Sequence, residues 1–175
     1  MLRLLCTKKL MKHLGTQPTP QPLSLTTTVG DWYANLFTYD NLDIAMCVSE
    51  QTRYAIPVSL HDREHDHGLY VGLVWRIHDA IKRLGLAEAI ADRIVDEYRG
   101  GLIVAPTADR SVLGTMNDLV RLCKHQLDAA CDSSGIQDWK GIWKEFEDEL
   151  NQTPHMALGG DNGTSRLVSL IREIG

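Results

Sequence analysis

No CxxC pair occurs among the four cysteines, Cys6, Cys47, Cys123 and Cys131, which stand far apart and each in an apolar setting. That spacing excludes the common thiolate zinc sites and dithiol redox motifs, and makes reduced core cysteines in a cytoplasmic protein the expectation. A basic surplus is missing too. Lys and Arg number 18 against 23 Asp and Glu, a net charge of −5, so broad binding to nucleic acid or to anionic membranes, which needs a basic surface, is not expected. No apolar run approaches the length of a membrane span, and Met1–Lys9 is too weakly apolar for a signal peptide. The glycines at 159, 160 and 163 are not followed by Gly-Lys-Ser/Thr, and no Gly-x-Ser-x-Gly elbow occurs. A phosphate-cradling P-loop and the usual serine-hydrolase nucleophile are thereby excluded. A cysteine nucleophile is equally unsupported, because apolar surroundings disfavour the thiolate.

Hydrophobic residues are abundant, at 43%, enough for a real core in a single domain over residues 1–175. Leu2–Cys6 reads as a first strand and Lys8–Leu14 as a short helix with Thr7 as N-cap and Gly15 as its stop. Gln17–Thr28, rich in Pro and Thr, reads as an extended surface loop. Residues Asp31–Leu60 alternate with the period of strands and predict a three-strand antiparallel meander, turning at Asp40-Asn41 and at Ser49–Thr52. In the first of these strands Trp32, Ala34 and Leu36 share one face and Tyr33, Asn35 and Phe37 the other. Leu42, Ile44, Met46 and Val48 share a face of the second strand; Tyr54, Ile56, Val58 and Leu60 share one of the third. Pro57 removes a ladder donor, so the third strand lies at an edge or carries a bulge.

From Leu69 the period becomes helical. Tyr70, Leu73, Val74, Ile77, Ile81 and Leu84 form one stripe ended by Gly85; Leu86, Ala89, Ile90, Ile94 and Tyr98 form another ended by Gly100-Gly101, predicting a helical hairpin. Trp75 and His78 flank the first stripe as packing or surface residues. Leu102–Pro106 is a short strand, and Val112, Leu113, Met116, Leu119, Val120, Cys123, Leu127 and Ala130 mark the apolar face of a long helix. After Ser133–Gly135, Ile136, Trp139, Ile142, Trp143, Phe146 and Leu150 mark another. Its opposite face, Lys140, Lys144, Glu145, Glu147, Asp148 and Glu149, is expected to be solvated. Its two tryptophans are expected in the core, with anchoring of a partner as the alternative. A glycine-rich loop over 151–164 and a closing helix over Arg166–Ile174 complete the chain.

The junction Thr107–Leu119 is the one segment dense in both core and polar residues. Asp109 or Ser111 can cap the helix that starts there. Arg110, Ser111 and Thr115 beside its free amides make an anion cradle one reading. The other is structural: Arg110 pairs with a carboxylate, Asp109 or Ser111 caps, and Gly114 lets another element pack closely. In the meander Asp31, Trp32, Tyr33 and Asn35 are the polar and aromatic residues that can line a site, although a strand aromatic is more often core. His61, His65 and His67, in a run of three imidazoles and three carboxylates, are weak metal candidates; the run reads better as a solvated turn. No resident metal or cofactor is expected.

Leu4-Leu-Cys-Thr-Lys-Lys-Leu10, Val29-Gly-Asp-Trp-Tyr-Ala-Asn-Leu36 and Arg110-Ser-Val-Leu-Gly-Thr-Met-Asn-Asp-Leu119 resemble, in this order, the RCTKKLL-like start, LGDWYANLL-like strand and RSVLGSMND-like helix start of a family of bacterial proteins known only as a domain of unknown function. The resemblance spans nearly the whole chain and implies no activity. Ala105–Asp109 departs from the Lys/Thr/Asn-rich approach of that family, which would alter any site built there.

These readings predict an α+β fold: a small, mainly antiparallel sheet of the N-terminal strand, the meander and the strand at Leu102, with amphipathic helices covering one face. Three functions follow in order of preference. The first is a non-catalytic protein-binding or regulatory protein whose partner is another protein; analogy of size and charge with other bacterial families suggests an inhibitor carried on a mobile element as its form. The second is a small enzyme on a phosphorylated or nucleotide substrate, with Arg110 and Ser111 binding phosphate and Asn117, Asp118 or Asp31 in polar or acid/base roles. It requires Arg110, Asp118 and a residue of Asp31–Asn35 to share one concavity. The third is a metal-dependent hydrolase built on the histidine-rich turn.

Overall fold

The computed structural model describes residues 1–20, 27–60, 68–134, 139–155 and 158–174, and for 131–134, 139–142 and 174 the backbone alone. The histidine-rich run His61–His67 therefore lies outside the described residues. In chain order the elements are β1 (Leu2–Cys6), α1 (Lys8–His13), β2 (Trp32–Tyr39), β3 (Leu42–Ser49), β4 (Ala55–Ser59), α2 (Gly68–Arg83), α3 (Glu88–Tyr98), β5 (Leu102–Pro106), α4 (Arg110–Ser134), α5 (Trp139–Gln152) and α6 (Gly163–Ile174). The strands form one sheet in the order β4-β3-β2-β1-β5. The expected α+β class holds, and the larger part of the sheet is antiparallel.

The sheet grows in both directions from β1. Leu2, Leu4 and Cys6 sit in the core on one face and Leu5 in the core on the other, the two-sided apolar pattern of a strand with parallel neighbours. Those neighbours are β2, with Leu4 opposite Trp32, and β5, with Leu2 opposite Leu102. From β2 the chain continues as the expected meander. Asp40 and Asn41, with φ of 46° and 67°, supply the left-handed pair that a two-residue hairpin turn requires. Pro57 lies opposite Met46 on β4, an edge strand as its missing donor demands.

Helices cover both faces of the sheet, and the expectation of a single covered face is corrected. Leu10 of α1, Leu73 and Ile77 of α2, Ile94 of α3 and Ile171 of α6 join Trp32, Ala34 and Ile56 on one side. Val112, Met116 and Cys123 of α4 with Trp143 and Phe146 of α5 join Tyr33, Phe37, Ile44 and Met46 on the other. The physical reason is visible in the strands, whose alternate residues are large and apolar on each face, so neither face can be left to water.

The α5 helix lies along the β4 edge and also meets α4 and α6. Its Asn151 closes that edge: the carboxamide oxygen accepts from the Ala55 amide at 2.6 Å and the nitrogen donates to the Ala55 carbonyl at 2.7 Å. One side chain thus satisfies peptide groups that a further strand would otherwise seek. Gly163, at the start of α6, fits because a Cβ there would stand 2.8 Å from the Asn151 Oδ1 and 3.0 Å from the Tyr54 Cα. Among the described residues no helix is long and apolar enough to cross a membrane.

Candidate functional site

Asp31, just before β2, and the polar residues of that strand are turned inward or spent on partners. Asp31, 5% exposed, takes a two-pronged ion pair from Arg3. Trp32 and Tyr33 are each 1% exposed. The Trp32 indole meets the Tyr98 hydroxyl at 3.4 Å, and the Tyr33 hydroxyl accepts from the Asp109 amide at 3.2 Å. Burial raises the Tyr33 phenol above its usual range. Asn35 accepts the Thr7 hydroxyl at 2.9 Å. These contacts bind β2 to β1, α3 and the start of α4.

At the start of α4 the Asp109 carboxylate accepts from the amides of Ser111 and Val112 at 2.6 and 3.3 Å. The helix end is therefore capped by the chain's own anion, which also repels a second one. Arg110 and Asn117 are exposed. Asp118, 73% exposed, pairs with Arg121 at 3.0 Å.

Of these sequence candidates, two share a concavity. Ser111 and Asp118, spaced at two turns of α4, line a groove of about 470 Å³ with Thr115, Leu122, Pro154 and His155. Arg110 and the residues of β2 do not line it. Over its floor Gly114 faces open space, and a Cβ there would meet nothing within 4 Å among the described residues. The close packing expected at Gly114 is absent. His155 is 9% exposed, and its Nε2 is closed to solvent and has no hydrogen-bond partner among the described residues. Burial, then the charge of Arg53, lowers its pKa, with Asp118 opposing, so the imidazole is neutral near pH 7.

A second groove, of about 400 Å³, separates the outer faces of α2 and α3 and is floored by Tyr70, Val71, Val74 and Val95. Trp75 stands over it with 62% of its surface exposed. Its ring meets the His78 ring edge-on at 6.3 Å, and His78 contacts Asp92 at 3.1 Å. Glu88 and Asp92 form the acidic wall on α3, with Arg99 at its end. Among the described residues no three His, Cys, Asp or Glu side chains are grouped to hold a metal ion.

Residues 3–166 match the family model described as a domain of unknown function, DUF6933. The chain belongs to this family. No curated protein matches it. The DUF6933 match runs from β1 to the first residues of α6, so both grooves and every sequence-derived candidate among the described residues fall inside it.

Two polar residues of this DUF6933 chain escaped the sequence reading. Glu147, expected on a solvated face, is wholly buried. Arg76 binds its Oε2 at 2.5 Å, Arg83 its Oε1 at 2.5 Å, and the Tyr54 hydroxyl donates to Oε1 at 3.1 Å. The helix turns this one carboxylate toward α2 because α2 carries two arginines spaced at two turns on the facing side. That spacing, with Glu147 one turn from Trp143 and from Asn151, was the available signal. His155 was hidden in a glycine-rich loop whose course no period describes.

Proposed function

We propose that the chain is a non-catalytic binding protein whose partner is another protein, docked in the groove between α2 and α3. The observation that carries this reading is Trp75. It is the one described tryptophan side chain left mostly exposed, while Trp32 and Trp143 are buried at 1% and 5%. Tryptophan over an apolar floor is the typical anchor of a protein interface, where large aromatic surface is desolvated at little entropic cost. Glu88 and Asp92, one turn apart on one wall, suit a partner segment that sets apolar side chains into the groove and lysine or arginine beside it.

Affinity capture with the full chain, followed by calorimetric titration of the purified partner, tests the reading. Trp75→Ala should weaken the complex by roughly thirtyfold, the equivalent of about 2 kcal/mol, with little change in Tm because the side chain is exposed. Undiminished affinity in the variant, or no stoichiometric partner, would count against it.

A further inference from the structure

We infer that the chain pairs with a second copy of itself through the outer faces of α2 and α3, the two hairpins joining into an antiparallel four-helix bundle. The inference rests on the reading of the Trp75 groove as a protein-docking surface and names what docks there. Contacts between the two helices fix their register. His78 meets Asp92 at 3.1 Å and Lys82 meets Glu88 at 2.6 Å, so four residues forward along α2 are four residues back along α3, as in an antiparallel pair. Three residues in the other direction set Trp75 level with Val95. On each helix these residues are spaced at three and four and therefore share one face; all but Lys82 line the groove.

The polar groups of this face are divided by helix: Lys82 and His78 stand on α2, Glu88 and Asp92 on α3. An unrelated basic segment laid in the groove would meet the two carboxylates but would also face Lys82, its like. A second copy, turned by a two-fold axis parallel to the helices, sets α2 of each chain against α3 of the other and complements both helices at once. Every rung of the hairpin is then repeated between the copies. Lys82 meets Glu88 of the second copy, His78 meets its Asp92, and Trp75 packs on its Val95, each contact made twice. Neighbouring helices are antiparallel throughout, the up-down arrangement of a four-helix bundle, and Trp75 lies near the centre, where an aromatic anchor counts most. The pairs within one chain do not stand in the way. Lys82 and Glu88 keep 44% and 65% of their side-chain surface exposed, pairs this open hold little energy, and a carboxylate has two oxygens with which to accept from both chains. Arg99, bound to its own Asp96 at 2.9 Å, stays at the rim.

The experiment is sedimentation velocity of the full chain from about 5 to about 500 μM, where a monomer–dimer equilibrium with a Kd of about 100 μM or tighter is expected. Lys82→Glu and Glu88→Lys each set two pairs of like charges across the dimer and should each weaken it at least roughly tenfold. An equimolar mixture of the two variants sets every reversed charge against its opposite in the other chain, so association should return to within about threefold of the original. Should either variant fail to fold, Val95→Glu, which puts a carboxylate against Trp75 of the second copy, serves in its place and should weaken the dimer by roughly tenfold or more. The inference is overturned if the chain stays monomeric throughout, if these substitutions leave the dimer unchanged, or if the mixture of charge-reversed chains does not associate. A monomeric chain that still binds an unrelated protein through Trp75 overturns this inference alone and leaves the docking reading standing. A dimer indifferent to Trp75→Ala counts against both.

Discussion

Glu147 concentrates the largest electrostatic stake in a single side chain. Its carboxylate is fully enclosed, whereas Arg76 and Arg83 keep 23% and 22% of their side-chain surface exposed. Glu147→Ala would leave two half-desolvated guanidinium groups and the Tyr54 hydroxyl without their common acceptor. Breaking a buried pair from one side typically costs about 3–5 kcal/mol, and urea unfolding of this variant should show a loss of that order. His155 makes a different prediction, one of pH. Its folded pKa lies below the usual 6.5, so above that value the ring is neutral in both states and stability does not depend on it. As pH falls through 6.5 the unfolded chain takes up a proton that the folded chain refuses, and stability is lost until the folded value is passed. His155→Gln should therefore flatten the fall of Tm between about pH 7 and pH 5. Neither residue was legible as a special group in the sequence. Glu147 sits in a run of acidic and basic residues that periodicity assigns to water, and only the facing arginines of α2 reverse that assignment.

At the scale of elements, two glycines make opposite predictions. Gly163→Ala would drive a Cβ to 2.8 Å from the Asn151 carboxamide and 3.0 Å from the Tyr54 backbone. That contact disturbs the clasp on the β4 edge and should cost about 1–3 kcal/mol. Gly114→Ala meets no neighbour and should stabilise α4 by up to roughly 1 kcal/mol. Thermal unfolding of the two variants should thus move Tm in opposite directions. Asp109→Ala, which removes the cap of α4, should cost about 1 kcal/mol by the same measurement. Element identity was largely legible. The period of two in residues 32–59, the turn pair Asp40-Asn41 and the stops at Gly15 and Gly85 are local signals, and the structure places strands, turn and helix ends there. The glycine roles were not, because whether a glycine admits a neighbour or keeps a space open depends on what the rest of the chain brings to it.

The whole molecule is organised by pairings that no local pattern encodes. Leu2 opposes Leu102, and Leu4 opposes both Trp32 and Val104, so β1 is locked between segments remote in sequence. Such contacts close long loops and form late, and opening them takes apart both halves of the sheet. Hydrogen exchange at Leu4 and Leu5 should therefore follow global unfolding, with the full denaturant dependence of the equilibrium transition. A shallower dependence there than at β4 would contradict a central role for β1. The same two-sidedness explains why one covered face was expected and two are found. Strand alternation reveals which residues share a face but not how many helices return to each. Trp75 has one more consequence. Among the described tryptophans it alone stands mostly in water, so it should emit to the red of Trp32 and Trp143 and be preferentially quenched by iodide. A blue shift with loss of that quenching would mark the moment its groove is filled, and the chain needs no attached dye to report its own occupancy.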